Sequence, residues 1–180
     1  MVEEMYTHKA IKKTGVSIDQ QAEASLSIAV LVEKCWKMAA VRELGEARAR
    51  SLSWAAWRDV GKWAMKLAKA QGAKVTDLDS FLEVLKAQYT GFAIPATVVK
   101  DDPDEKVISV ESCPFPGFSI PTFGVEYGDL CTAIWKDDTN AWIEGMIEEA
   151  GLTGVIAGKI QSALCMGDKE EIVKIEKIKK

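Results

Sequence analysis

Apolar and polar residues follow two different periods along this chain, and the change from one to the other divides it. Between residues 26 and 44 apolar positions crowd together (Leu26, Ile28, Val30, Leu31, Val32, Trp36, Met38) and leave no clear polar face. A helix that is apolar almost all round belongs inside a protein, so this stretch predicts a central, buried first helix. Ser17-Ile-Asp-Gln20 has the form of a capping box that would open it, and Gly45 can supply its left-handed stop. A second helix is predicted from Glu46 to Gln71, ending at Gly72. At about 100° per residue, Trp57, Val60, Gly61, Ala64, Leu67 and Ala68 gather on one face. Arg58, Lys62, Lys66 and Lys69 gather on the other, with Trp54 and Trp63 at the borders. Gly61 sits mid-face, where the missing side chain lets a neighbour approach the backbone. Thr76-Asp-Leu-Asp79 opens a third helix with Leu78, Phe81, Leu82, Leu85 and Tyr89 as its stripe, and Gly91 closes it.

The period then shortens. Ala93–Val99 and Val107–Ser112 are rich in β-branched residues, and Asp-Asp-Pro-Asp-Glu between them is a turn, which together predict a β-hairpin. Cys113-Pro-Phe-Pro-Gly cannot continue a regular strand, because its prolines lack a donor. Pro121-Thr122 reads as the entrance of a helix reaching Trp135. Asp137-Asp138-Thr139 reads as the cap of a further helix, from about Asn140 to Ala150, stopped by Gly151. Val155–Met166 and Ile172–Ile178 predict a second hairpin around Gly167-Asp168-Lys169, although Ile172, Ile175 and Ile178 also fit a helical spacing. The expected fold class is α+β. N-terminal helices pack on one face of a four-stranded antiparallel sheet, built from two hairpins separated by two helices. Residues 1–16 read as an arm and 17–180 as one domain.

Composition narrows the function classes. The 180 residues suit a single domain, and a net charge of −4 argues against a nucleic-acid partner. No apolar run approaches the ~18 residues of a membrane span, and residues 1–13 lack the apolar core of a secretion signal. The expectation is a cytoplasmic protein with no membrane partner and four reduced cysteines: Cys35, Cys113, Cys131 and Cys165. Cys35, within the apolar helix, reads as core. His8 is the only histidine and precedes the first capping box, so a histidine-based triad is effectively ruled out. No Gly-x-Gly-x-x-Gly and no P-loop is present.

Four stretches, taken in order and spacing, resemble the L-2-amino-thiazoline-4-carboxylic acid hydrolase-like family. They are Val41-Arg42-Glu43-Leu44-Gly45 with Ala47, Ala49 and the Trp57 helix; Glu111-Ser-Cys113-Pro114; Gly128-Asp129-Leu-Cys131 leading to Trp135, Asp137 and Asp138; and Cys165-Met-Gly167-Asp168 in the closing hairpin. The chain departs from the family pattern where Glu171 stands at a position often held by cysteine. A looser likeness is to 4-vinyl-reductase-type ligand-sensing domains. The resemblance implies a small-molecule pocket and hydrolysis of a C–N bond in a small heterocycle.

The residues themselves offer a cysteine-centred site. Glu111 and Cys113 share one face of a strand at i, i+2, and Cys131 follows after a chain reversal. Two thiolates and a carboxylate could hold zinc or iron. Equally, one thiolate could attack an electrophilic carbon while Glu111 moves protons. Packing as small hydrophobes is the plain alternative for both cysteines. Arg42 could meet a substrate carboxylate, and Trp57 and Trp135 could wall an apolar pocket. Two functions stay open: a hydrolase of this kind, or a non-catalytic ligand sensor or metal-holding accessory module. The partner implied by both is a small molecule, with homo-oligomerisation an open question.

Overall fold

The turn at Pro103-Asp104 folds the first β-rich segment back on itself, with Asp102 directly opposite Glu105. This is seen in a computed structural model that describes residues 32–33, 35–91, 94–111, 125–164 and 168–179, with 125–136 given by helical backbone alone. The described elements are α1 (residues 35–44), α2 (Glu46–Ala70), α3 (Leu78–Gly91), β1 (Thr97–Asp102), β2 (Glu105–Val110), α4 (Val125–Ala150), β3 (Ile156–Ser162) and β4 (Glu171–Lys177). Both expected hairpins form. They join edge to edge as β1-β2-β4-β3, with every neighbouring pair antiparallel.

Period-two alternation decides which face of the sheet is covered. Ile108, Val110, Ile156, Ile160, Val173 and Ile175 are all buried on the helix side. The opposite face carries a ladder in which Lys100 meets Glu105 at 2.6 Å, and Lys174 meets Glu105 at 2.9 Å and Glu176 at 2.7 Å. The strand reading of Ile172 and Ile175 therefore prevails over the helical one, because pairing with both β2 and β3 satisfies the backbone of β4 on either side.

α4 is one unbroken helix from Val125 to Ala150, where the sequence predicted two. Asp138 does not cap a new helix. Its carboxylate accepts from Lys37 and Ser53 on other helices, and it is 1% exposed. Asn140 is likewise taken up elsewhere: its Oδ1 accepts from the Ile160 amide at 2.8 Å, beside a register shift in β3. With Ala141, Trp142, Ile143, Met146 and Ile147 all buried, α4 lies between α2 and the sheet.

α2 and α4 run in the same direction, for Arg50 meets Asp137, Ser53 meets Asp138, and Lys69 reaches Glu149. They touch at two glycines. A Cβ on Gly61 would stand 2.0 Å from the Trp142 carbonyl oxygen, and one on Gly145 would stand 1.9 Å from that of Arg58. The sequence marked Gly61 as a point of close approach; Gly145, its counterpart, carried no comparable signal.

The first helix departs from expectation. Its described part is not central, since Val32, Trp36, Met38 and Leu44 are exposed and only Lys37 and Ala40 are buried. Cys35 is exposed rather than core. On α2, Gly61 and Ala68 are buried, whereas Val60 and Leu67 of the same predicted face are exposed. The buried stripe is narrower than the apolar one because α4 packs against one side of α2, at Gly61 and its neighbours. The helix stops fall as predicted: Gly45, Gly72 and Gly151 all have positive φ, a conformation that glycine alone adopts without strain.

Candidate functional site

Glu33 and Lys37 lie one turn apart on the first helical segment, a spacing that places both on one side. Lys37 is 4% exposed, an unusual position for lysine. Its ammonium is shared between Asp138 of α4 and Glu33, the latter at 2.7 Å. Ser53 of α2 donates to the same Asp138 oxygen at 2.9 Å, and the Trp57 indole N–H donates to Glu33 at 3.0 Å. Three helices are thus tied at one point by a lysine, two carboxylates, a hydroxyl and an indole. Burial alone would lower the Lys37 pKa, but Glu33 and Asp138 outweigh it and raise it. Burial raises the Asp138 carboxyl, with Lys37 and Ser53 pulling it back. The two tendencies oppose each other. We take the pair as ionised, because Lys37 has a second carboxylate and Asp138 a second donor, which a buried ion pair requires.

Above this cluster a groove of about 540 Å³ opens between the first helix and α2. Val32, Trp36, Ala56, Trp57 and Val60 line it, with Lys37, Glu33 and Ser53 at its base. Trp57 has its N–H engaged by Glu33, and the Lys37 ammonium sits 5.9 Å from its ring centroid. Among the described residues the groove is therefore an apolar slot whose lysine is already paired with two acids.

The residues singled out from sequence are distributed unevenly around this groove. Trp57 is part of it. Arg42 is exposed at the end of α1 and pairs with its neighbour Glu43 at 2.9 Å. Glu111 is exposed just beyond β2. Cys113 lies outside the described residues. Cys131 and Trp135 fall on the backbone of α4, with their side chains outside the described set. Among the described residues, no three or more His, Cys, Asp or Glu side chains are grouped to hold a metal. Sequence reasoning missed Lys37, Ser53 and Asp138 as a unit. The available signal was the Glu33–Lys37 pair at i, i+4 inside an otherwise apolar segment.

A second buried acid lies at the start of β4. Glu171 is 4% exposed and accepts from the Tyr89 hydroxyl at 3.1 Å, while the Tyr89 ring meets Trp142 edge-on at 5.6 Å. Burial pushes the Glu171 carboxyl up, and the Tyr89 hydrogen bond draws it partly back. A carboxyl raised in the folded state holds its proton more tightly there than in the unfolded chain. Its contribution is fully present below the unfolded value of about 4.3 and is lost as pH rises through the folded value. Glu171→Gln keeps an acceptor for Tyr89 and removes the charge. It is expected to stabilise the protein at neutral pH and to leave it little changed at pH 4. Urea midpoints at the two pH values check this, and an equal effect at both would contradict it.

Three layers of this kind, with helices on one face of a four-stranded antiparallel sheet, define an α+β domain. No helix among the described residues is long and apolar enough to cross a membrane. No described protein family and no curated protein matches the chain by sequence. Solved structures share its fold. Subunit 3 of a trafficking protein particle complex from Naegleria fowleri, covalently bound to palmitic acid, matches with a TM-score of 0.62 at 12% identity, over 87% of this chain and 97% of that one. The phenol-responsive sensory domain of the transcription activator PoxR, with phenol, matches with a TM-score of 0.57 at 15% identity, over 82% and 74%. At such identities the likeness establishes the fold alone.

Proposed function

We propose that this protein is a non-catalytic ligand-binding module that takes a small, neutral, largely apolar molecule in the groove between the first helix and α2. The observation that carries this reading is the groove itself: aromatic and aliphatic walls over a lysine whose charge two carboxylates have already met. Among the described residues an anionic ligand would find no spare positive charge there, and it would face Glu33. A neutral aromatic molecule would bury its surface against Trp36 and Trp57 at no electrostatic cost. Two proteins of the same fold support the class, one holding phenol and the other palmitic acid.

Calorimetric titration with phenol and with benzoate tests the reading, since the two differ mainly in charge. Phenol is expected to bind and benzoate to bind at least tenfold more weakly. Trp36→Ala is expected to weaken phenol by about tenfold, or ~1.4 kcal/mol, with little change in melting temperature, because Trp36 is 46% exposed and packs lightly. Benzoate binding as tightly as phenol would defeat the charge argument. Phenol binding unaffected by Trp36→Ala would remove the groove as the site.

A further inference from the structure

α2 presents a second apolar surface that α4 does not cover. Val60, Trp63 and Leu67 are 43%, 70% and 57% exposed, and Ala56 is exposed one turn before them. From Ala56 onward the steps are four, three and four residues, the spacing of a coiled-coil seam. Asp59 and Lys66 flank this seam on one side. Lys66 stands 3.8 Å from Glu149 and over the Trp63 ring, whereas Asp59 takes part in no ion pair among the described residues.

We propose that this stripe pairs with the same stripe of a second copy of the chain, the two α2 helices running antiparallel about a two-fold axis. The seam complements itself in that orientation. Val60 falls opposite the partner's Trp63, and Ala56 falls opposite the partner's Leu67, so each small residue meets a large one. In the same register Asp59 comes beside the partner's Lys66, and the two-fold axis makes this contact twice. Asp59 of one copy, in no ion pair among the described residues, thus meets a lysine of the other. A parallel pairing would set Trp63 against the partner's Trp63 and bring Asp59 beside the partner's Ala64, with no charge to meet. Charge and size together select a second copy of this chain, antiparallel, as the occupant. Ala56 and Val60 also line the ligand groove, so the partner's Leu67 and Trp63 would border its mouth. The pairing itself does not depend on any ligand.

Sedimentation equilibrium on the full chain without added ligand is the test, and its outcome is independent of phenol binding. A dimer is expected at micromolar concentration. Trp63→Glu and Leu67→Glu, both at exposed positions, are each expected to weaken it at least tenfold while leaving the melting temperature of the monomer close to that of the parent. Asp59→Lys is expected to weaken the dimer, and adding Lys66→Asp to restore it. A protein that is monomeric across the micromolar range overturns the proposal, whether residues 1–31 of its own chain or another protein covers the stripe. So does a dimer that neither glutamate substitution weakens, or a charge-reversed double variant that fails to recover.

Discussion

Gly61→Ala is expected to destabilise the protein by at least ~3 kcal/mol, the upper part of the range for overpacking a closed interface. The added Cβ would lie 2.0 Å from the Trp142 carbonyl oxygen and 3.0 Å from the Met146 nitrogen, and both are helix backbone. No rotamer change relieves such a contact; α2 and α4 must separate. Separation would loosen Met65, Ala68, Trp142 and Met146 at once, all of which are buried at or near this interface. Gly145→Ala is expected to cost about as much, since its Cβ would meet the Arg58 carbonyl oxygen at 1.9 Å. The double variant is expected to cost clearly less than the sum, because one displacement of the helices relieves both clashes. Denaturant midpoints with unchanged slopes measure all three. A loss under ~1 kcal/mol for either single variant would mean that the helices do not meet at these glycines.

Asp138→Ala carries the next largest expected effect, about 3 kcal/mol. Among the described residues it leaves the buried Lys37 with Glu33 as its remaining acid and removes the acceptor of Ser53. The cost arises from stranding a charge rather than from losing a favourable pair. The paired replacement Lys37→Met with Asp138→Leu should therefore recover most of the loss, because apolar groups of similar size need no partner there. Thermal and urea unfolding of the single and paired variants distinguish the two accounts. A paired variant as unstable as Asp138→Ala would show that the ion pair stabilises the fold in its own right.

Much of the architecture was legible along the chain because its signals are local. Gly45, Gly72 and Gly151 end helices where glycine after an apolar period should. Pro103-Asp104 turns the first hairpin, and β-branched alternation marks β2 and β4. The candidate site was legible only in fragments. Trp57 was identified as a wall residue, but Lys37 was not singled out, because a lysine within an apolar run carries no local sign of the partner it will meet. Asp138 was assigned to a cap, because an aspartate before Thr-Asn reads the same whether it caps a helix or lies buried mid-helix.

The amino-acid sequence by itself determined the α+β class, the two hairpins, the helix stops and the close approach at Gly61. Each of these follows from backbone preference or from a period carried by neighbouring residues. The tertiary structure decided the rest. It joined the hairpins through β2 and β4 and kept α4 whole through Asp137-Asp138-Thr139. It left the apolar residues of α1 at the surface and brought Lys37 to an aspartate 101 residues away. These outcomes share one physical reason. They depend on which surfaces meet, and the free energy of burying a charge or an apolar side chain is set by partners distant in sequence rather than by the residues beside it.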